Sequence, residues 1–248
     1  MRYIRRMSKV WLILGFLLVL GSCARIKDIP YNKRGRVVNL QRKGLTEIPQ
    51  EVLQDTTITV LRLYGNQLDS VPEEIGNLKN LEKLFLGRND IKTLPGSIGN
   101  LKKLRILSAQ YNEIHSLPDE IGDLTSLQQL SLNQNELTRL PETIGNLKNL
   151  ELLELNYNWL DSLPETLTDC ESLKFLHLNR NVIQSLPQNM NDLKYLRELH
   201  LANAGPLLDI PESTCQCRKL EYLEIDRGVL VPQCLLVMQT TILRIVLR

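Results

Sequence analysis

Residues 61–83 read LRLYGNQLDSVPEEIGNLKNLEK, and this 23-residue frame decides the fold because it recurs along most of the chain. Its fixed points are a Leu-x-Leu pair, an asparagine, a Val-Pro or Leu-Pro pair, and an Ile-Gly-x-Leu-x-x-Leu segment. The asparagines lie 23 residues apart, at Asn66, Asn89, Asn112, Asn135, Asn158 and Asn181. Repeats in one register predict a solenoid, because stacked units bury leucines that no single unit can bury alone.

Each part of the frame has a physical role. The Leu-x-Leu pair is typical of a short strand whose alternate side chains point into the core. The asparagine amide can pair with backbone groups that the following bend leaves without partners. Proline fixes the backbone of the return segment, and glycine permits a close approach there. We therefore expect an α/β repeat solenoid, with parallel strands on the concave face of an arc and short helical or irregular return segments on the convex face.

The array is predicted to cover residues 37–230 as about nine repeats. Its last repeats lack the asparagine, and Ala204-Gly205-Pro206 replaces that turn with one extra residue, which predicts a local bulge. The frame decays after Pro232. We interpret residues 231–248 as a closing cap, in which residues 242–247 alternate like one last strand.

The frame resembles the leucine-rich repeat family over about 190 residues. Its Leu-Pro-x-x-Ile-Gly-x-Leu segment is most similar to the Ras-group type of intracellular scaffolds and many bacterial proteins. This resemblance implies a binding scaffold without a common catalytic centre. The residues agree, because no Ser/His/Asp or Cys/His pair converges in the frame and its glycines serve the return segments instead of a phosphate loop. We predict neither enzymatic activity nor a cofactor.

The N-terminus has the three parts of a secretory signal. Arg2, Arg5, Arg6 and Lys9 precede an apolar run at residues 11–20, and small residues follow. The run is too short to span a bilayer, which needs roughly 20 residues. Residues 1–22 are therefore predicted to be a signal peptide.

Leu20-Gly21-Ser22-Cys23 resembles the lipobox of bacterial lipoproteins. The resemblance implies cleavage before Cys23 and attachment of lipid to that cysteine. The protein would then contact the membrane through this lipid. Residues 23–36 would then be the lipidated cysteine and a tether. Ala24, and not an acidic residue, follows the cysteine, which favours the outer membrane or surface of a bacterial cell envelope. The alternative is an ordinary signal peptide that contains a cysteine.

The net charge of +2 comes from the N-terminus. Without residues 1–22, which hold four of the 30 basic residues and no acidic one, 26 basic side chains face 28 acidic ones. A nucleic-acid partner needs a basic patch that neutralises phosphates, so this balance weighs against one.

Side chains that flank the strand leucines or the asparagine should line the concave face. Tyrosine and tryptophan often anchor binding surfaces, although aromatic residues also favour strands for packing reasons. We predict a protein ligand, bound by Arg62, Tyr64, Phe85, Arg88, Tyr111, Glu154, Tyr157, Trp159, His177, Arg180 and His200. A glycan is the second possibility, because the amides of Gln110, Asn133, Asn156 and Asn179 form a column beside the aromatic residues. A structural role in the envelope is the third.

One column of the frame combines imidazoles with carboxylates. The residues between the strand leucines include, in consecutive repeats, Glu154, His177, His200 and Glu224. Adjacent strands lie about 4.8 Å apart, so these side chains should be neighbours. They can hold a divalent metal, form a pH-sensitive patch or be ordinary compatible pairs, and the sequence alone assigns no metal.

The remaining four cysteines fall into two pairs. Cys170 and Cys217 occupy positions of an inward leucine, so they are predicted to be core thiols. Cys215 and Cys234 lie on neighbouring return segments, where a disulfide is possible in an exported protein.

Overall fold

The computed structural model describes residues 31–32, 35–205, 208–238 and 243–248. The predicted signal peptide, Cys23 and most of the predicted tether lie outside these residues. Among the residues described, no helix combines the length and the hydropathy that a membrane span requires.

Within the described residues, eleven strands form one sheet and follow each other in chain order. Every neighbouring pair is parallel except the first, and this confirms the predicted parallel sheet. Because equivalent leucines pair across strands, as Leu84 does with Leu107, the sheet keeps the register of the sequence frame. The strands are β1 (Tyr31–Asn32), β2 (Gly35–Asn39), β3 (Ile58–Arg62), β4 (Lys83–Phe85), β5 (Ile106–Ser108), β6 (Gln129–Ser131), β7 (Leu152–Glu154), β8 (Phe175–His177), β9 (Glu198–His200), β10 (Tyr222–Ile225) and β11 (Arg244–Leu247).

The return segments are short and mostly 3₁₀-helical, in agreement with the prediction of short helical or irregular segments. Two are α-helical, α1 (Gln50–Gln54) and α2 (Gln233–Met238). The 3₁₀ helices span Glu73–Asn77, Gly96–Asn100, Asp119–Asp123, Glu142–Asn146, Glu165–Asp169, Met190–Asp192 and Glu212–Gln216. A proline immediately precedes six of these seven helices, as Pro118 does with φ −69°. Its fixed φ suits the entry to a helix.

Glycine in the return segment lets adjacent repeats stack closely. A Cβ added to Gly122 would collide with the backbone carbonyl of Thr143 in the next repeat. Gly76, Gly99 and Gly145 are equally close to the repeat that follows each of them. The predicted close approach at these positions is therefore confirmed.

The asparagine column joins consecutive repeats inside the core. Asn112 donates from Nδ2 to the carbonyls of Leu86, at 3.1 Å, and Ala109, at 2.9 Å. Its Oδ1 accepts the backbone N–H of Ile91 at 3.1 Å. The side chain is buried, so it pairs backbone groups that have no access to water. This is the role that the sequence predicts for the asparagine.

The repeat that lacks the asparagine reaches the same result with its backbone. The carbonyl oxygen of Ala204 accepts the N–H of Ile183 at 2.5 Å, where earlier repeats use an asparagine Oδ1. A Cβ at Gly205 would collide with the carbonyl of Ile183, so only glycine fits beside this contact. The altered turn therefore replaces the amide with a main-chain carbonyl.

Near the end of the arc, β11 extends the sheet beside β10, as the alternation of the last residues predicts. Cys215 and Cys234 form a disulfide with Cα atoms 5.9 Å apart, and it ties α2 to the preceding 3₁₀ helix. Cys170 and Cys217 are free and buried, which confirms that they are core thiols. Burial raises the pKa of the Cys170 thiol to about 12 and that of Cys217 to about 11.

Candidate ligand-binding surface on the concave face

The fold exposes one set of positions in every repeat. The leucines of each strand are buried, whereas most residues between and beside them remain half-buried or exposed on the concave face. The exceptions are Gly87, Ala202 and Glu224, which are buried. Two residues after the second position of each Leu-x-Leu pair, the backbone enters the left-handed region, with φ 53° at Arg88 and 59° at Tyr111. This conformation is uncommon for residues other than glycine. Hydrogen bonds to the next repeat hold it, and the N–H of Tyr111 donates to the carbonyl of Asn133 at 2.9 Å.

Arginines and aromatic rings alternate along the first repeats. The guanidinium carbon of Arg88 lies 5.8 Å from the ring centre of Tyr64 and 5.1 Å from that of Tyr111. Arg42 lies 6.0 Å from Tyr64 on its other side. Each contact is within the range of a cation–π interaction. The structure thus brings three of the predicted site residues into one row and adds Arg42.

Other predicted residues form two separate pairs. The guanidinium of Arg62 lies 5.8 Å from the Phe85 ring, and that of Arg180 lies 5.0 Å from the Tyr157 ring. Tyr111, Tyr157 and Trp159 keep 41%, 47% and 62% of their surface exposed. These exposed fractions are large for aromatic side chains, so the rings are accessible to a ligand.

A polar groove lies at the N-terminal end of the same face. It encloses about 550 Å³ and is lined by Asn39, Gln41, Arg42, Lys43 and Tyr64. The arginine–tyrosine row therefore begins inside a concave space with two cationic side chains.

The predicted column of Glu154, His177, His200 and Glu224 is confirmed by the strand register, which pairs each member with the next. Nδ1 of His200 is hydrogen-bonded to Oε2 of Glu224 at 2.8 Å, and Nδ1 of His177 lies 3.8 Å from Oε1 of Glu154. The two imidazole rings meet edge to face, with centroids 4.3 Å apart.

The carboxylates of this column stay ionised for identifiable reasons. The nearby imidazole of His177 lowers the pKa of Glu154, and Ser131 donates to that carboxylate at 2.5 Å. Burial would raise the pKa of Glu224, but hydrogen bonds from Arg248, Asn179 and His200 hold it below its usual value. Negative charge is therefore retained at both ends of the column.

Three residues of this cluster were not predicted from the sequence. Nε2 of His200 lies 3.2 Å from a carboxylate oxygen of Glu198, and the ring of Tyr222 stacks on the imidazole of His200. Arg248 donates to Glu224 at 2.5 Å. The period of two along a strand places Glu198 on the same face as His200, so that signal was present. Arg248 follows the decayed frame, where no register could be assigned.

The amide column is occupied by contacts within the protein. Oδ1 of Asn133 accepts the N–H of Asn156, and Oδ1 of Asn156 accepts that of Asn179, each at 2.8 Å. Oδ1 of Asn179 accepts the N–H of Ala202 at 2.6 Å. These carbonyl oxygens thus brace consecutive repeats, which leaves less of the column for a sugar.

Family models match most of the array. The model described as a leucine-rich repeat region matches residues 36–136, and the model described as leucine rich repeat matches residues 125–183. A sequence search of the curated proteins finds no match.

Solved structures with the same architecture include a bacterial protein and two plant receptors. A leucine-rich repeat protein of Leptospira interrogans is 34% identical with a TM-score of 0.74, over 84% of this chain and 53% of that one. The ectodomain of the receptor kinase GASSHO1/SCHENGEN3 from Arabidopsis thaliana, in complex with Casparian strip integrity factor 2, is 33% identical with a TM-score of 0.65. The match covers 73% of this chain and 22% of that one.

The third structure is the plant peptide hormone receptor RGFR1 in complex with RGF2. It is 27% identical with a TM-score of 0.67, over 81% of this chain and 33% of that one. The chain therefore spans about half the length of the bacterial protein and a third or less of the two receptors.

Proposed function

Because the chain belongs to the leucine-rich repeat family, we propose that it binds a protein or peptide ligand along its concave face. Proteins with this fold are commonly binding scaffolds, and two of the similar structures are plant receptors in complex with a named factor. The observation that carries the proposal is the set of exposed rings held beside arginines on one face. No catalytic role is proposed.

The contacts favour a ligand with apolar and acidic side chains. A tyrosine ring offers a large contact area and loses little conformational entropy when a ligand covers it. An arginine that stacks on a ring still presents N–H groups at its edge, in a geometry that matches a carboxylate. Arg42, Lys43, Arg62, Lys83 and Arg88 make the first repeats basic. We therefore expect the acidic part of the ligand to lie over the N-terminal repeats.

The test is selection of displayed random peptides on the immobilised protein, followed by affinity measurements with the recovered sequences. We expect recovered peptides to carry aromatic and acidic residues and to lose at least tenfold in affinity in Tyr157→Ala, since an anchor of this kind contributes about 1.4 kcal/mol or more.

Tyr195→Ala is the matched control. Tyr195 is 48% exposed, close to the 47% of Tyr157, but it lies on a return segment beside Lys219. Equal losses in the two variants would contradict binding on the concave face, as would recovery of no peptide above background.

We also propose that the protein is exported and held by lipid on Cys23 at the outer membrane or surface of a bacterial cell envelope. The basic residues before an apolar run and the sequence Leu20-Gly21-Ser22-Cys23 support this proposal. The disulfide between Cys215 and Cys234 supports it independently, because such bonds persist in oxidising compartments.

Growth of an expressing bacterium with an alkyne-labelled fatty acid tests the anchor. The wild type should carry the label in the membrane fraction, and Cys23→Ala should lose it. Cys170→Ala is the control that removes a different cysteine. A label that persists in Cys23→Ala, or its absence from the wild type, would refute lipidation at this residue.

A further inference from the structure

Two imidazoles lie side by side near the C-terminal end of the concave face. His177 on β8 pairs in register with His200 on β9, and Glu198 lies two residues before His200 on the same face of β9. One ligand atom from each of these residues lies within 4.8 Å of the other two. The three donors therefore come from two adjacent strands of a rigid sheet.

Both rings are oriented so that Nδ1 faces one carboxylate and Nε2 faces another. Nδ1 of His200 is bound to Glu224 at 2.8 Å, while its Nε2 lies 3.2 Å from Glu198. Nδ1 of His177 lies 3.8 Å from Glu154, and its Nε2 lies 4.0 Å from Glu198. Metal-bound histidines typically contact a carboxylate through the ring nitrogen that does not bind the ion, which fixes the ring and raises its basicity.

These outer carboxylates are themselves held in place. Ser131 donates to Glu154 at 2.5 Å. Arg248 and Asn179 donate to Glu224 at 2.5 and 3.1 Å. The supporting contacts thus extend beyond the residues that would touch an ion, as they do around built metal sites.

The Nε2 atoms of His177 and His200 and the carboxylate of Glu198 do not satisfy one another by hydrogen bonds. A neutral imidazole has one N–H, so His200 cannot donate to Glu224 and to Glu198 at the same time. Nε2 of His177 is buried and has no hydrogen-bond partner among the residues that the structure describes. The carboxyl groups of Glu154, Glu198 and Glu224 all face these two rings. A divalent cation between the Nε2 atoms and Glu198 would supply the missing partner.

We propose that Nε2 of His177, Nε2 of His200 and a carboxylate oxygen of Glu198 bind one divalent transition-metal ion of the Zn²⁺ class. Imidazole and carboxylate ligands suit this class, and three protein ligands leave a fourth position for water. Tetrahedral zinc with bonds of about 2.0–2.1 Å needs donor atoms roughly 3.3 Å apart. The present 3.2 and 4.0 Å separations from Glu198 require only small side-chain rotations. This inference is independent of the proposed peptide ligand.

Calorimetric titration of the untagged protein with ZnCl₂ tests the site, with MgCl₂ as the control ion. We expect one equivalent of Zn²⁺ to bind and Mg²⁺ to give no heat, because a site with two imidazoles discriminates against Mg²⁺. Glu198→Gln should weaken Zn²⁺ binding at least tenfold. Glu198 has 40% of its side chain exposed, so this isosteric change leaves the core untouched.

The histidines provide the matched comparison. His177→Gln and His200→Gln should each abolish stoichiometric binding, whereas His115→Gln should bind as the wild type does, since His115 is exposed and lies in another repeat. Glu154→Gln, which changes a supporting carboxylate, should weaken binding about 10- to 100-fold.

Cobalt gives a second readout that does not depend on heat. Co²⁺ bound by nitrogen donors should give visible absorption bands that Zn²⁺ displaces and that Glu198→Gln changes. Absence of one-equivalent binding in the wild type would overturn the proposal. Retained binding in His177→Gln or His200→Gln, or an equal loss in His115→Gln, would overturn it as well.

Discussion

The repeats at residues 61–146 and those at residues 177–248 build one continuous sheet by different means. The first region pairs its buried backbone groups with asparagine side chains and stacks its return segments through glycine. The second region has one such asparagine, Asn181, but at its following turn the carbonyl of Ala204 accepts the equivalent hydrogen bond. A disulfide ties its final helix to the preceding return segment. The comparison teaches that the solenoid needs a buried acceptor at this turn, and that an amide is only one way to supply it.

The outward positions differ even more between the two regions. The first repeats present arginines stacked on aromatic rings, and the last present imidazoles among carboxylates. Neither set is required by the leucine core, because these side chains lie outside it. Such freedom explains how one frame can hold a basic aromatic surface and a histidine–carboxylate cluster on the same sheet.

The largest expected effect on stability distinguishes the asparagine amide from the main-chain carbonyl as the acceptor at the turn. Asn112→Ala leaves the buried Ile91 N–H without its acceptor. It also removes one of two amide donors from each of the Leu86 and Ala109 carbonyls, which keep Asn89 and Asn135 respectively. We expect it to lower the free energy of unfolding by about 3 kcal/mol, because the buried orphan costs about 1 kcal/mol or more and each of the two lost hydrogen bonds about 1 kcal/mol. Urea denaturation followed by circular dichroism measures the loss.

Ala204→Gly is the comparison at the equivalent turn of the second region. It keeps the carbonyl that accepts from Ile183, so its cost should stay near 1 kcal/mol. Similar losses for the two variants would show that the asparagine amide is not what stabilises the earlier turns.

The next effect concerns the stacking of return segments. Gly122→Ala places a methyl group against the Thr143 carbonyl, and the adjacent repeats must move apart. We expect a loss of about 2 kcal/mol in the free energy of unfolding, as for other overpacked sites.

Thr168 occupies the same frame position two repeats later, where a side chain is already accommodated. Thr168→Ala removes one hydrogen bond to the Glu165 carbonyl and should cost below about 1 kcal/mol. If Gly122→Ala were as mild as Thr168→Ala in chemical denaturation, the close approach would not limit the first region.

The sequence predicted what the repeat frame controls. Leucine spacing placed the sheet, and the column of His177 and His200 followed from the period of the repeat. The left-handed backbone at Arg88 and Tyr111 was not predicted, since neither is a residue that usually marks such turns. The sequence could not decide whether Cys215 and Cys234 form a disulfide, because sequence spacing does not give the distance between Cα atoms. Arg248 was missed because the frame decays after Pro232, so no register against Glu224 could be assigned to it.

The smallest effect on stability concerns the two free cysteines, of which Cys217 lies in the second region and Cys170 just before it. Thiols react as thiolates, and burial raises the pKa of Cys170 to about 12, from an ordinary value near 9. At pH 8 the folded thiolate fraction is then about a thousandfold below that of the unfolded chain. Iodoacetamide should leave Cys170 and Cys217 unmodified in the native protein and alkylate both in guanidinium, as peptide masses will report.

The direction of the Cys170 pKa shift also determines how the stability of the fold depends on pH. Because the folded pKa is the higher one, this protection contributes stability below about pH 9 and loses it as the pH rises towards 12. Leu147→Cys supplies the comparison, since Leu147 is the buried residue at the same frame position one repeat earlier. An equally inert thiol at 147 would show that the frame position protects the cysteine, whereas rapid alkylation there would show that the earlier repeat protects this position less. Rapid alkylation of native Cys170 would contradict the predicted protection.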